Sequence, residues 1–323
     1  MRGAGLGFRR VEVVANVASG SVGPEAPAEI ERIFADFGVA AHVCAPHLPD
    51  LGNCLRAAVD AAPDLLVLLA GDGTVRAAAE LCGPDGPVIA PLPGGTMNML
   101  PHAIYGPRPW KDALCAALTA GETRMLPGGE VEGRRFLVAA ILGSPALWAP
   151  AREAARYGKA RLAWLRARRA LQRAFSGRLR YALDDGPRGK AAALSFLTPL
   201  VSRALDAEAP ALEAAVLDLK GAADVLSLGF HALVGDWRAA PAVAARPCRV
   251  ARVWAAEPIP AILDGEAVRL DRAADIVFDP GVARVLSLPP ALDADTASTR
   301  SAPGARFLEA RLHGEAGADR HGR

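Results

Sequence analysis

The apolar positions of this chain follow two different patterns, and the change between them divides the chain into two parts. Residues 65–70 form a continuous apolar run without polar alternation, which is typical of a parallel strand buried on both faces. Upstream of this run apolar residues recur at helical spacing, as Ile30, Ile33 and Phe37 do within 27–38. Strands that alternate with helices predict a mostly parallel sheet with helices on both faces.

The predicted elements of the first part follow one another closely. Strands are predicted at Val11–Ala15, Ala40–Cys44 and 65–70, and helices over 27–38, from Leu51 to Val59 and over 109–120, where Gly121 ends the last helix. The first part is therefore predicted to be an α/β domain.

From about residue 128 short strand-like runs are separated by turn residues and no longer by crossover helices. These runs are Arg135–Leu142, Ala191–Leu197, Val225–Leu228, Arg249–Trp254, Ile259–Leu263 and Ala267–Leu270. They predict a second domain of antiparallel strands. The fold class is thus an α/β domain with a mostly parallel sheet plus a second, antiparallel β domain.

Two glycine-containing loops occupy equivalent places in the first part. Gly71-Asp72-Gly73-Thr74 follows the apolar run 65–70, and we expect a tight glycine turn with a helix that opens at Thr74. The second loop, Gly94-Gly95, follows the apolar run from Val88, and Thr96 is predicted to start a helix that carries Met97, Leu100 and Ile104. Open α/β sheets bind ligands at such strand ends.

The chemistry of the two loops suits a nucleotide and its metal. Glycines let a backbone approach an anion, and the free N–H groups of a following helix favour phosphate. A hard carboxylate such as Asp72 is the ligand type that Mg²⁺ prefers beside phosphates. Either loop alone is equally well explained as an ordinary turn, whereas two loops in the same context favour a phosphate site.

Four motifs, in order along the chain, carry a resemblance to a known family. Gly71-Asp72-Gly73-Thr74 and Pro93-Gly94-Gly95-Thr96-Met97-Asn98 resemble motifs of the diacylglycerol kinase catalytic domain family, which includes bacterial lipid kinases and the sphingosine and ceramide kinases. Asn16-Val17-Ala18-Ser19-Gly20 is similar to its nucleotide loop, with Val17 in place of proline. Asp264-Gly265-Glu266 is similar to its Asp-Gly-Glu motif. The resemblance covers about residues 11 to 290.

The resemblance implies an ATP-dependent, Mg²⁺-requiring kinase that phosphorylates a lipid hydroxyl. The residues implied at the nucleotide are Asn16, Ser19, Gly71, Gly73, Thr74, Gly94, Gly95, Thr96 and Asn98. Asp72 is implied as the metal ligand and a catalytic residue, Asp264 as the general base, and Glu266 as its support. Thr96 is equally explained as a helix N-cap, and Asp264-Gly265 as a hairpin turn. Because both aspartates are predicted to lie in turns, we expect the fold to tolerate their replacement by asparagine.

The family's fold implies the domain organisation. Residues 1–126 are predicted to form the α/β nucleotide-binding domain, completed by a returning strand within 280–292. Residues 127–279 are predicted to form a β-sandwich domain for the lipid substrate, with a helical insertion at 150–175. Residues 293–323 lack apolar periodicity and are predicted to be a disordered tail.

Three departures from the family pattern leave alternatives open. Acidic residues that the family usually carries are replaced by Ala77, Met99 and Pro127. Glu80 and Glu130 are candidates to replace them. A related small-molecule kinase remains open, because NAD kinases and phosphofructokinases also use Gly-Gly-Asp-Gly. A catalytically silent nucleotide- or lipid-binding protein also remains open.

Composition argues against a nucleic-acid-binding, a disulfide-rich, a zinc-binding and a membrane-spanning protein. At 323 residues, 51% apolar and 22% charged, the chain can bury a large core. A net charge of +2 gives no argument for nucleic acid. Five scattered cysteines predict neither a disulfide framework nor a zinc site, and they suit a reducing cytoplasm. No apolar run approaches the ~18 residues of a membrane span. The composition gives no indication of oligomeric state.

The positive charge is concentrated in residues 152–180, which carry a net charge of +9 in a protein whose total is +2. The basic residues are Arg152, Arg156, Lys159, Arg161, Arg166, Arg168, Arg169, Arg173, Arg178 and Arg180. One interpretation is an ordinary helix with a solvated arginine face. The other is an interfacial helix that docks on an anionic membrane surface. The second would place the protein in the cytoplasm, peripheral at the inner membrane.

Overall fold

Parallel strands form the centre of the first domain. The structure is a computed structural model, and it describes residues 7–20, 22–143, 179–202, 205, 209–217 and 243–289. Strands β1 (Val11–Ala15), β2 (Ala41–Cys44), β3 (Leu65–Ala70) and β4 (Val88–Pro93) lie in the order β2-β1-β3-β4, all parallel. Every residue of β3 and β4 is buried, as expected for central strands covered on both faces.

Helices connect these strands and cover the sheet. They are α1 (Ala26–Asp36), α2 (Leu51–Asp60), which follows a 3₁₀ turn at Leu48–Asp50, α3 (Asp72–Cys82), α4 (Met99–Tyr105) and α5 (Trp110–Ala120). Each α-helix buries an apolar face, for example Ile30 and Phe34 in α1. The first hydrophobic core lies between these faces and the sheet.

Two long strands link the first domain to the second. Strand β5 (Glu122–Val131) runs antiparallel to β16 (Ala273–Ser287) along most of its length. The pairing register shifts between Asp279 and Ala283, and beyond this bulge β16 lies parallel to β4. One strand therefore begins in the second domain and completes the sheet of the first.

The second domain consists of two facing sheets. Its strands are β6 (Arg134–Phe136), β7 (Ala139–Gly143), β8 (Leu179–Leu183), β9 (Gly189–Ala191), β10 (Ala193–Leu197), β11 (Leu212–Leu217), β12 (Val243–Cys248), β13 (Val250–Trp254), β14 (Ile259–Leu263) and β15 (Glu266–Leu270). Strands β13, β8 and β9 extend the first sheet beyond β16, and β12-β11-β10-β7-β14-β15 form a separate antiparallel sheet. Residues of both sheets, such as Phe196 and Ile276, share one buried core.

The predicted fold class is confirmed, because a mostly parallel sheet with helices is followed by a separate antiparallel sheet in a second domain. Some predicted elements differ in detail. The run 135–142 divides into β6 and β7, and the run 191–197 corresponds to β10 together with the last residue of β9. The strands β5, β8, β11 and β12 were not predicted.

Several predictions concern residues outside the described part of the chain. These are the helical insertion at 150–175, the strand at 225–228, the tail at 293–323 and all of the basic stretch except residues 179 and 180. The domain boundary at 126/127 stays a prediction, and it falls inside β5. Among the described residues no helix is both long and apolar enough to cross a bilayer.

Two cysteines that are ten residues apart lie side by side in the fold. Cys44 at the end of β2 and Cys54 in α2 place their sulfur atoms next to each other. They meet because the short connection Leu48–Asp50 turns α2 back beside its own strand. The thiols of Cys82, Cys115 and Cys248 are free, and burial raises the pKa of each. These three thiols are therefore poor nucleophiles.

Candidate active site

Three loops meet where β1, β3 and β4 end. The backbone N–H of Asn16, just after β1, donates to the carbonyl of Leu69 at 2.9 Å. A Cβ placed on Gly20 would lie 3.7 Å from Oγ1 of Thr96, so the first loop touches the third. The structure thus brings together the three glycine-containing loops that the sequence singled out, at the carboxyl ends of parallel strands.

The second and third loops are in backbone contact, and glycine makes this possible. A Cβ on Gly95 would lie 2.7 Å from Cα of Gly71, and one on Gly94 would lie 2.6 Å from the backbone nitrogen of Ala70. No side chain fits in either place without moving a loop. Gly73 differs, because nothing lies within 4 Å of a Cβ at that position. Packing therefore requires glycine at 94 and 95 and allows another residue at 73.

Asn98 holds the third loop in shape. Its side-chain Oδ1 accepts from the backbone N–H of Gly95 at 2.6 Å, and its Nδ2 donates to the carbonyl of Gly95 at 3.0 Å. The backbone of Asn98 is left-handed, with φ of 50°, which asparagine tolerates better than most residues. Helix α4 begins only at Met99, so the predicted helix start at Thr96 is wrong. The left-handed residue ends the loop and delays the helix.

Asp72 lies at the first turn of α3 and points towards α4. Helix α3 begins at Asp72 after an extended Gly71, so the expected glycine turn and the helix start at Thr74 are wrong. An acidic first residue is favoured there by the helix dipole. Oδ1 of Asp72 accepts from the backbone N–H of Leu100 at 3.3 Å. The carboxylate therefore stands between two glycine loops.

Ser19 and Thr74 contribute to the loops mainly through their backbones. The N–H of Ser19 donates to the carbonyl of Asn16 at 2.9 Å, and the N–H of Thr74 donates to the carbonyl of Gly71 at 3.0 Å. The side-chain Oδ1 of Asn16 accepts from the N–H of Ala18 at 3.2 Å.

Asp264 occupies the turn of the β14–β15 hairpin. Asp264 and Gly265 both have positive φ, 47° and 87°, which fits a two-residue hairpin turn. The Asp264 carboxylate also accepts three backbone N–H groups, from Leu137 to Oδ2 at 2.7 Å and from Val138 and Ala139 to Oδ1 at 2.9 and 3.0 Å. The residue is both a turn residue and an anchor for the start of β7.

The electrostatic environment of Asp264 is mixed. Burial raises the pKa of its carboxyl above the usual 3.8, and the three backbone N–H groups and the positive charge of Arg76 oppose this rise. Oδ1 already accepts two hydrogen bonds, while Oδ2 accepts one. A carboxylate oxygen can accept about two. Oδ2 is therefore the atom that can accept a further proton or hydroxyl.

Arg76 is a residue that sequence reasoning did not assign to the site. It lies one helical turn after Asp72 in α3, and its guanidinium forms an ion pair with the carboxylate of Glu266 across 190 residues of sequence. The Arg76 side chain is mostly covered, with 21% exposure, whereas that of Glu266 is 59% exposed. This pair joins the nucleotide-side helix to the Asp-Gly-Glu hairpin.

A second contact closes the same junction. The exposed Met97 of the third loop places its Sδ 3.4 Å from the position of a Cβ on Gly265. The glycine loops of the first domain and the hairpin of the second thus face each other directly. The site lies between the two domains.

Comparison with known proteins agrees with this arrangement. Residues 10–131 match the family model of the diacylglycerol kinase catalytic domain. The resemblance found in the sequence motifs is confirmed.

Solved structures show the same fold. A diacylglycerol kinase from Bacillus anthracis strain Sterne superposes with a TM-score of 0.63 at 14% identity, over 88% of this chain and 98% of that chain. Another structure from the same strain, provisionally described as a diacylglycerol kinase, gives 0.67 at 16% identity, over 87% and 96%. At such identities the likeness shows the fold alone. No curated protein matches the sequence.

The three positions where the sequence departs from the motifs it resembles are occupied by residues that pack against the core or lie in a strand. Ala77 and Met99 are partly buried against the first core. Pro127 lies in β5. Glu80 is exposed on α3, and Glu130 pairs with Val277 and Arg135 in the sheet. No contact among the described residues joins either glutamate to Asp72 or Asp264, so neither is shown to replace a lost acid.

The residues at the site allow a metal but do not form a closed cage. Among the described residues no cluster of three or more histidine, cysteine or acidic side chains could hold an ion. Asp72 is half-buried, and only its Oδ1 has a hydrogen-bond partner within the described part. Mg²⁺ at kinase sites is usually held by one or two carboxylates plus substrate phosphates. A single accessible carboxylate beside a phosphate loop fits that mode.

Proposed function

We propose that the protein is an ATP-dependent, Mg²⁺-requiring lipid kinase that phosphorylates the primary hydroxyl of a diacylglycerol-like or sphingoid lipid. One observation carries the proposal. The Asp264–Glu266 hairpin of the second domain faces the glycine loops and Asp72 of the first, linked by the Arg76–Glu266 ion pair. Phosphoryl transfer needs this combination of phosphate positioning, charge compensation and a proton acceptor.

The proposed nucleotide side consists of backbone and small side chains. Gly71, Gly73, Gly94 and Gly95 would let the phosphates approach the chain closely, while Asn98 fixes the loop. Asn16, Ser19, Thr74 and Thr96 lie beside these glycines and would contact the nucleotide. Asp72 would hold Mg²⁺, which supplies charge neutralisation at the phosphates when bound.

Asp264 would serve the acceptor hydroxyl. In the proposed step the lipid oxygen forms a bond to the γ-phosphorus, the bond from that phosphorus to the bridging oxygen breaks, and ADP leaves. The hydroxyl proton passes to Oδ2 of Asp264, which has remaining capacity to accept it. Three backbone donors hold the carboxylate in one orientation, so positioning is its main contribution.

Arg76 would add a fixed positive charge at the same junction. A guanidinium that is 21% exposed is partly shielded from water, which strengthens its interaction with phosphate charge. Its partner Glu266 would hold it in place before the nucleotide binds. Acidic residues that the family usually carries are replaced at three positions here, which leaves fewer carboxylates to bind Mg²⁺. The positive charge of Arg76 would offset part of the phosphate charge that additional metal would otherwise neutralise.

We also propose a cytoplasmic protein that is peripheral at the inner membrane, where its lipid substrate lies. The net charge of +9 in residues 152–180 supports this proposal, because an anionic lipid surface attracts such a segment.

One experiment separates the proposed function from its two alternatives. The protein is incubated with γ-labelled ATP, Mg²⁺ and a total lipid extract, and the products are partitioned between chloroform and water. Label in a chloroform-soluble product supports the lipid kinase. Label that stays in a water-soluble product other than phosphate favours an NAD kinase-like enzyme. No transfer, with Asp72→Asn as the background control, favours a silent binding protein.

A further inference from the structure

A cavity lies away from the glycine loops, at the C-terminal end of α4. It has a volume of about 880 Å³, within the range of about 300–1,000 Å³ usual for ligand pockets. The cavity is bounded by α4, by the middle of β5 and by the end of β16, with Leu200 and Pro210 of the second domain on its far side. None of the residues assigned to the kinase site lines it.

The cavity lining combines apolar surface with positive charge. Apolar side chains such as Ile104, Met125 and Leu288 form most of it, and the charged or ionisable groups among them are His102, Arg108 and Arg124. No acidic residue of the described chain lines the cavity. Arg124 pairs with Glu122 at 3.1 Å in an exposed contact, and such pairs are weak enough to yield to a better partner.

A buried hydroxyl at the edge of the cavity has no hydrogen-bond partner. Ser287 is 6% exposed, and its Oγ contacts neither donor nor acceptor within the described part of the chain. The neighbouring Tyr105 is different, because its hydroxyl donates to the carbonyl of Leu286 at 2.6 Å. An unpaired buried hydroxyl costs free energy unless a ligand or water satisfies it. The Oγ atom of Ser287 is enclosed by protein atoms, so this hydroxyl does not take part in the argument for a ligand.

A shallow depression adjoins the cavity. It lies between α5 and the chain at 288–289, and it shares Arg108, Leu288 and Pro289 with the cavity. Its other lining residues, such as Cys115 and Ala116, are small and largely apolar. The apolar lining of the cavity thus extends onto this shallow surface, and Arg108 lies where the two meet.

We propose that this cavity binds an anionic single-chain amphiphile, with its chain along the apolar lining and its headgroup at Arg108 and Arg124. The charge is the deciding feature. A neutral lipid such as the proposed kinase substrate can accept only ordinary hydrogen bonds from two arginines, whereas a carboxylate or phosphate headgroup pairs with guanidinium groups in short, strong, charge-assisted ones. This inference does not depend on the proposed kinase activity.

Binding is tested with the full chain and a fluorescent long-chain fatty acid, kept below the concentration at which it forms micelles. Oleate should displace the probe, oleyl alcohol should compete at least tenfold more weakly, and acetate should not compete. Equal competition by oleate and oleyl alcohol would show that the arginines do not recognise the headgroup and would overturn the proposal. Absence of probe binding would overturn it as well.

Two pairs of matched variants locate the site. Arg108→Gln with Arg124→Gln should weaken fatty acid binding about tenfold or more, whereas Arg134→Gln with Arg249→Gln, which removes the same charge from exposed positions elsewhere, should not. Met125→Glu adds a negative charge to the cavity and should abolish binding. Its control is Val250→Glu, because Met125 and Val250 are 47% and 46% exposed. Equal losses in variant and control would place the amphiphile elsewhere.

Discussion

At the residue scale, Asp72 and Asp264 look alike in sequence but are held very differently. Asp264 accepts three backbone N–H groups at 2.7 to 3.0 Å, while Asp72 accepts one at 3.3 Å. From these contacts we expect the fold to tolerate asparagine at Asp72 and to lose stability with asparagine at Asp264. An amide has one acceptor oxygen, so it cannot replace both oxygens of Asp264.

Replacing each aspartate by asparagine should separate stability from turnover. Asp264→Asn should lower the free energy of unfolding by ~1–3 kcal/mol, the cost of unsatisfied buried donors. It should also lower kcat by ~10²–10⁴-fold with little effect on nucleotide affinity. Asp72→Asn should lose turnover with almost unchanged stability. Urea unfolding and steady-state kinetics measure both quantities. Near-wild-type kcat in Asp264→Asn would remove the base assignment.

Arg76 should control the pH dependence of the reaction through Asp264. The pKa of Asp264 lies above 3.8, so kcat/KM should fall as the pH drops through that raised value and the carboxylate becomes protonated. Since the charge of Arg76 lowers this pKa, Arg76→Gln should move the acidic limb to higher pH.

Glu266→Gln is the control for this pH profile. It breaks the same ion pair but keeps the cation, so it should not raise the acidic limb. If both variants shift the limb upwards equally, the ion pair acts by holding the hairpin in place and not through the charge of Arg76.

At the element scale, the glycine loops separate two reasons for glycine: close packing of the loops against each other, and close approach of phosphate to the backbone. A Cβ on Gly95 would lie 2.7 Å from the backbone of Gly71, whereas a Cβ on Gly73 would meet nothing within 4 Å. Replacing Gly95 should therefore destabilise the unliganded protein, because the two loops would have to move apart.

Gly73→Ala is the sharper test of phosphate approach. Alanine favours a helix interior over glycine by up to ~1 kcal/mol, so the variant should be at least as stable as the wild type. If phosphate approaches the first turn of α3, ATP affinity should still fall, as measured by calorimetric titration. Gly95→Ala should lose both affinity and stability. Unchanged ATP affinity in Gly73→Ala would remove this turn from the nucleotide site.

Elements with strong periodicity were predictable, and elements formed by distant pairing were not. The buried run of β3 and the helical spacing in α1 follow from local pattern. Strand β5 was missed because Pro127, Gly128 and Gly129 are poor strand formers. The structure accepts Gly129 there because the ring of Phe136 lies over it, where any side chain would clash.

In the candidate site, too, the residues that belong to local motifs were predictable and the long-range contact was not. Short motifs located Asp72, Asp264 and the glycine loops, because each motif is local in sequence. Arg76 was missed because on a helix an arginine is typical of a solvated face, and its partner Glu266 lies 190 residues away. Only the packing of the two domains makes that pair.

At the scale of the whole molecule, the basic stretch 152–180 should determine how the protein meets its substrate. If it docks on anionic lipid, vesicle binding should fall as salt rises, because each basic residue near the surface contributes ~1 kcal/mol. Changing Arg166, Arg169 and Arg173 together to Gln should abolish binding to anionic vesicles but keep activity on a detergent-dispersed substrate. Vesicle co-sedimentation measures the first effect.

A control with the same charge loss is available on the second domain. Arg134, Arg249 and Arg272 are exposed and lie outside the basic stretch. Their joint replacement by Gln should leave vesicle binding unchanged. Equal binding of the wild type to neutral and anionic vesicles would leave only an ordinary helix with a solvated arginine face.

Strand β16 also determines when the protein can complete its fold during synthesis. Residues 284 and 285 pair with β4, so the edge of the central sheet has no partner until almost 290 residues have left the ribosome. The apolar edge of β4 therefore stays exposed in the nascent first domain during this time. Chains truncated before residue 273, which lack β16, should aggregate. The yield of soluble truncated protein should depend on chaperones more than the yield of the full-length chain does.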